Sequence, residues 1–343
     1  MFETHQSNSA WVGELIDHLA YPRITSSLAV TVYRSLPNAT DFNIWDGELG
    51  WNGFNYATIG DAYRYHQPHD LPENVSDRTL QHMGNHVLSM RRAVDELSSD
   101  DVRRLSDQTA AATRGNAVFF DLFGAIIIHY SEWVQKVFAG VLLVLVCVSW
   151  RRNSKRGQGP GAARQLFEFL LAIALGLLIG IGAYLILAET AYENLVYTPV
   201  DRPAGLITIA ISFVVVTFFL ENLRRRRRSP SGDFESDVVW GITASLAIAL
   251  AFAVPGGAYL LIWPATIYWV VRLVTRKAAP SAGCGWIALT LLAGPLLGLL
   301  VQALGPWKQP LYATIAGLLA IAAMTAWNAA SIDVPEQAKP TEP

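Results

Sequence analysis

Cysteine is nearly absent from this chain, with two residues in 343, and both Cys147 and Cys284 lie within or at the edge of apolar runs. A disulfide framework and a cysteine-based zinc site are thereby excluded. Charge is scarce too, at 16% of residues, and the mean hydropathy is positive at +0.29. Such a composition is too apolar for one soluble domain and reads as a membrane protein. The opening MFETHQSNSA has no basic segment and no apolar stretch, so no secretory leader is read there. The net charge of -2 points to no class of partner.

What charge there is lies unevenly. All seven histidines and most of the acidic residues precede residue 137, and beyond it long uncharged runs alternate with short basic clusters. The chain therefore divides into an α/β part over 1–100, a connecting segment over 101–132, an all-α multi-span membrane part over 133–330 and a disordered tail over 331–343. About 20 apolar residues cross a hydrocarbon core of roughly 30 Å. Seven spans are predicted. The first runs from about Trp133 to Trp150, and the second and third occupy 169–188 and 204–220. The uncharged stretch from Val238 to Val271 is too long for one helix, and Pro255-Gly256-Gly257 near its middle splits it into two. The last two begin near Cys284 and Leu311.

Basic residues follow the first span (Arg151, Arg152, Lys155, Arg156, Arg164), the third (Arg224 to Arg228) and the fifth (Arg272, Arg276, Lys277). By the positive-inside rule these loops are cytoplasmic, which puts residues 1 to about 132 across the membrane from them. Between two spans the Arg224 to Arg228 run reads as a topological anchor, and no nucleic-acid partner is expected. The spans carry almost no ionisable residue beyond Glu168 at an entrance, with Gln302 the other polar feature, which argues against a transporter. Gly176 and Gly180 have the spacing of a helix-packing motif.

In the amino-terminal part, SAWVGELIDHLA (9–20) has helical spacing, with Trp11, Leu15 and Leu19 on one side. SLAVTVY (27–33) is short and β-branched, as a strand would be, and GFNYATIG (53–60) reads as a second strand. Ser76 is placed as the N-cap of a helix to Leu97, with Leu80, Met83, Val87, Met90 and Val94 on its apolar face. Helix, strand, strand, loop, helix is one part of an α/β sandwich, where ligands bind at loops following strands. The loop with His66 takes such a position. Alone, a histidine in a polar loop is more often a surface residue than a ligand. His82 and His86, four apart with no H-E-x-x-H motif, are read as a polar helix face.

The longer pattern narrows the choice. Thr-Asp-Phe at 40–42, Phe-Asn at 54–55, Tyr-His at 65–66 with Asp70, Pro-Glu-Asn at 72–74 and Leu-Gln-His at 80–82, then AVFFDLFG at 117–124, resemble the di-zinc exopeptidases of metallopeptidase family twenty-eight. The membrane-embedded branch, with vacuolar membrane proteases and endoplasmic reticulum metallopeptidases, is the one resembled. The resemblance implies the carboxyl-terminal part of an α/β/α zinc-exopeptidase sandwich, followed by a membrane domain of about seven helices. It makes His66 the last zinc ligand and places Asp41 and Tyr65 near the substrate pocket, with Asp70 orienting the loop or the histidine. Two zinc ions would activate a bridging water and polarise the scissile carbonyl of a peptide substrate. That chemistry also uses an H-x-D strand end and a Glu-Glu pair, and neither occurs in this sequence. The expectation is the carboxyl-terminal portion of a membrane exopeptidase, with an amino-terminal peptidase half as partner. It would lie in the lipid bilayer of a bacterial inner membrane, a vacuole or the endoplasmic reticulum. The alternative is a non-catalytic multi-pass protein, either a remnant or a scaffold.

Overall fold

The computed structural model describes residues 3–35, 40–58, 67–68, 70–107, 115–153 and 232–304, with scattered positions between 171 and 216. Two compact units are present. One combines Met1–Ile59, His66–Leu143 and Ser245–Ile262; the other combines Gly60–Tyr65, Val144–Ala244 and Trp263–Pro343.

The first unit is built mainly of helices around two small antiparallel sheets. Strand β1 (Glu3–Thr4) pairs with β2 (Phe54–Asn55), Glu3 opposite Asn55 and Thr4 opposite Phe54. Helix α1 (Ser9–Asp17) follows β1, then α2 (Ser27–Ser35), a π-helical turn (Ile44–Glu48), a 3₁₀ turn (Pro72–Asn74), α3 (Asp77–Glu96) and α4 (Ser99–Ser106). A hairpin of β3 (Ala117–Leu122) and β4 (Ile126–Ser131) lies in the segment expected to be a connection. It supplies Ala117 and Phe119 to a core shared with Val12, Leu15, Ile24 and Val30.

Two sequence expectations are corrected here. SLAVTVY is helix α2, not a strand. The Ser26 carbonyl accepts from the Ala29 and Val30 amides at 3.0 and 3.4 Å, and the Thr31 hydroxyl donates to the Ser27 carbonyl. A short apolar run has no period of its own, so the turn started at Ser26 decides against β-branched preference. Helix α3 starts after Ser76 as expected, but its buried residues are His86, Ser89 and Ala93. Leu80, Val87 and Val94 are exposed, so the helix is rotated relative to its most apolar stripe.

With so little strand pairing, side chains satisfy much of the buried backbone. Asn8 accepts from the Ala117 amide at 2.7 Å, and Asn116 accepts from the Ser7 amide at 2.9 Å. Ser27 accepts from the Phe119 amide at 3.1 Å and donates to the Gly256 carbonyl at 2.6 Å. Gly256 lies in the first turn of an apolar helix, just after its junction with the preceding one. A Cβ there would collide with the Thr31 hydroxyl and lie 2.9 Å from the Ser27 carbonyl, so only glycine allows the approach. Phe120 stacks on Tyr259 beside it, ring centroids 4.2 Å apart.

Among the described residues three helices are long and apolar enough to span a membrane: Glu132–Arg152, Ser236–Ala253 and Pro255–Thr275. They fall within α5 (Glu132–Asn153), α6 (Gly232–Ala253) and α7 (Pro255–Thr275), and α8 (Ala278–Leu304) follows. The expected break near Pro255 is present, with Val254 alone between α6 and α7. The second, third and seventh expected spans lie largely or wholly outside the described residues.

The second unit holds a feature the sequence concealed. Asp237 and Arg272, 7% and 4% exposed, form a two-pronged ion pair at 2.8 and 2.9 Å, and the Tyr268 hydroxyl donates to the same carboxylate at 2.6 Å. Trp240 stacks on Tyr268 and leans on Trp286, and its carbonyl accepts from the Trp269 indole. Gly285 makes room for it, since a Cβ there would lie 2.5 Å from the Trp240 ring. Arg272 counted above as a loop cation, yet its charge is matched inside the helix pair.

Candidate functional site

The end of the β1–β2 ladder is organised by one buried carboxylate. Glu3 accepts from the Thr40 hydroxyl and the Asn55 amide, each at 3.0 Å, and Asn55 also donates to Thr40 at 3.3 Å. Charge-assisted bonds of this kind are the stronger ones, and here they tie the Thr-Asp-Phe segment to the sheet. Arg34, at the end of α2, donates to the carbonyls of Thr4 and His5. His5 exchanges contacts with Gly53 at 3.2 Å, and burial pushes its imidazole pKa below the usual value. Burial likewise raises the Asp46 carboxyl, partly offset by His5 and Arg34 nearby.

This lattice leaves Asp41 at its edge. Asp41 is exposed, and its carbonyl accepts from the Ile44 amide at 3.1 Å as the chain enters the π-helical turn. Asp70 is also exposed, its amide donating to the Gln67 carbonyl at 2.9 Å just before the 3₁₀ turn. The two share no partner among the described residues. His66 and Tyr65 lie outside the described residues. Sequence reading overlooked Glu3, Arg34, Thr40 and Asn55, although Thr40 and Asn55 stand within or beside the quoted Thr-Asp-Phe and Phe-Asn motifs.

A second group is formed by His82 and His86. Their rings are 4.6 Å apart and Tyr56 meets His86 edge-on at 5.6 Å, so the pair does face one way, but inward rather than along a polar surface. His86 is 2% exposed, and its Nε2 donates to the Arg23 carbonyl at 2.8 Å. Burial pushes its pKa down to about 4. Its Nδ1, the Tyr56 hydroxyl and the Ser89 hydroxyl are buried without hydrogen-bond partners among the described residues. The helix-face reading of His86 is therefore corrected: packing against Tyr56 and the Arg23 carbonyl places an imidazole where a hydrocarbon would be expected.

Among the described residues no cluster of three or more histidine, cysteine, aspartate or glutamate side chains could hold a metal. Zinc takes three or four protein ligands, so the described residues alone do not fit it.

Residues 1–90 match the family model described as Peptidase family M28. The chain resembles that family's membrane branch. It is 27% identical over 155 residues to endoplasmic reticulum metallopeptidase 1 of Homo sapiens, covering 42% of this chain and 16% of that protein. It is 32% identical over 113 residues to the vacuolar membrane protease of Aspergillus clavatus, covering 32% of this chain and 12% of that protein. The vacuolar membrane protease of Tuber melanosporum is 30% identical over 113 residues, 32% of this chain and 11% of that protein. The chain thus spans about a sixth or less of the curated relatives it matches. No solved structure matches it. These likenesses and the three apolar helices mark a membrane protein.

Proposed function

We propose that this chain forms part of a zinc-dependent exopeptidase that removes residues from the amino end of peptides at the extracytoplasmic face of a membrane. The observation that carries the reading is the match of residues 1–90 to a peptidase family, over the stretch that includes Asp41, Tyr65, His66 and Asp70. In this reading His66 is a zinc ligand, Asp41 and Tyr65 border the substrate, and Asp70 steadies the loop. A peptidase segment bearing an H-x-D and a Glu-Glu pair completes the two-zinc site. About seven helices hold the assembly in the bilayer. The seating of the α6–α7 turn against Ser27 and Thr31 supports an orientation in which that turn and the amino-terminal elements share one side.

Metal content tests the reading. The chain is co-expressed with the ligand-bearing segment of a complete relative, purified in detergent and analysed by mass spectrometry for zinc. Two zinc ions per complex are expected, with at least one lost in His66→Ala. A complex that assembles without zinc, or whose zinc ignores His66→Ala, sinks it in favour of a non-catalytic membrane scaffold.

A further inference from the structure

The two faces of the β3–β4 hairpin have different neighbours. Side chains alternate along a strand, so Ala117, Phe119 and Ile127 share one face, and it packs into the core with Val12 and Leu15 of α1. The other face carries Val118, Phe120, Leu122, Ile126 and Ile128, with Tyr130 at the end nearest α5. It rests on the apolar helices at two places. Phe120 stacks on Tyr259 of α7. Tyr130 meets Phe138 of α5 edge-on, ring centroids 5.6 Å apart, and its hydroxyl donates to Gln135 at 2.5 Å. Tyr259 follows Pro255 and Phe138 follows Glu132 by one to two helical turns, about 6 and 9 Å along the two helices.

Both helices are long and apolar enough to span a membrane, and β4 runs directly into α5. A ladder fastened at two points to spans that enter the same bilayer lies along its surface. The tip continues that line. Leu122 and Ile126, paired across the ladder, stand on the span-facing side about 7 Å beyond Phe120. Yet Ile126 is 60% exposed, and Phe123 in the turn is 64% exposed.

Phe123 holds that place against its backbone preference. Its φ of 55° is left-handed, a conformation that tight turns usually give to glycine, asparagine or aspartate. Gly124 follows with a φ of 67°, and the Arg23 stem lies against it where a Cβ would be 2.8 Å away. Asp121, on the core face, accepts from the Ile24 and Gly124 amides and fixes the turn from that side. The tip is thus polar toward the core and apolar toward the spans. An apolar patch that prolongs a span-facing surface fits lipid, and aromatic side chains favour the boundary between hydrocarbon and water. A soluble partner has no path to a surface turned toward the bilayer.

We propose that Phe123 and Ile126 form a membrane-inserted wedge, seated among lipid acyl chains in the leaflet where α5 and α7 begin. The hairpin then lies in the membrane surface as a layer between the soluble core and the lipid. This placement holds whether or not the chain cleaves peptides.

The first test leaves the chain unaltered. It is placed in nanodiscs of phosphatidylcholine with a diazirine on the acyl chain, irradiated, digested and read by mass spectrometry. Adducts on Leu122 to Ile126 are expected within about threefold of the yield on Trp133, an exposed aromatic at the start of α5. Adducts on the spans with none at the tip overturn the wedge. The second test measures depth with a spin label at Phe123→Cys, in a chain with Cys147→Ala and Cys284→Ala. Arg91→Cys is the water-facing control, since α3 packs on α1, on the far side of the core from the spans. The label at 123 should be at least about threefold less accessible to a nickel chelate than the label at 91, and more accessible to oxygen, because hydrocarbon excludes polar solutes. Equal access to the chelate puts the tip in water and overturns the proposal. Shielding from both reagents puts it under protein and overturns it as well.

Discussion

The two units solve the same problem in different ways. In the first, polar side chains serve the backbone: Asn8 and Ser27 accept from β3 amides turned away from β4, Asn116 accepts from the Ser7 amide, and Arg34 takes two carbonyls. In the second, the helices satisfy most of their own backbone, and Asp237, Arg272 and Tyr268 serve one another. The difference follows from secondary structure. Where a strand edge has no neighbouring strand, side chains complete the backbone, and where helices close their own bonds, a buried charge needs another side chain.

This contrast can be broken at its strongest point first. Asp237→Ala leaves the Arg272 guanidinium without its carboxylate in a buried place, and a loss of about 3 to 5 kcal/mol is expected in detergent unfolding. Replacing the pair together, Asp237→Leu with Arg272→Met, should recover most of that loss. A double variant as unstable as the single one would show that the pair's surroundings, not its charges, matter.

In the first unit, Ser27→Ala strips a partner from the Phe119 amide and from the Gly256 carbonyl, and about 2 kcal/mol should be lost. Thr at the same position keeps the hydroxyl and should lose less. If alanine and threonine behave alike, the hydroxyl is not what matters there.

The smallest effect depends on pH. His86 is held at about 4 against an ordinary 6.5, so the unfolded chain binds the proton more readily than the folded one. The neutral imidazole is fully accommodated above pH 6.5, and stability is lost as pH falls from there toward 4, by up to about 2 kcal/mol. His86→Gln should flatten that part of the curve, read from denaturant midpoints at pH 4, 5, 6 and 7. An unchanged slope would assign the acid sensitivity to other groups.

How much of this was legible in the sequence depends on the range of the interaction. Helix α1 with Trp11 and Leu15 buried, the start of α3 after Ser76 and the break before Pro255 are local signals, and all three are present. The strand assigned to 27–33 failed because Val30 is buried by elements distant in sequence, Ala117 and Phe119 among them. The face of α3 was misjudged for the same reason: the layer that covers His86 is set by Tyr56 and the Arg23 carbonyl, not by the helix itself. Asp237 and Arg272 are 35 residues apart at the two ends of an uncharged stretch, so Arg272 read as a loop cation with no partner in view. Of the candidate site, Asp41 and Asp70 are found on exposed loops as motif positions, whereas Glu3, which organises the first of those loops, carries no local signature.

The hydrogen bond from Ser27 to Gly256 joins residues 229 positions apart. At roughly 5 to 20 residues added per second, Ser27 leaves the ribosome about 10 to 50 seconds before Gly256 is made. During that interval the amino-terminal elements have emerged without the turn that closes over them. The region around Ser27 therefore completes its hydrogen bonds only after the Gly256 segment is synthesised, so a pause or error there is felt at residues made long before it.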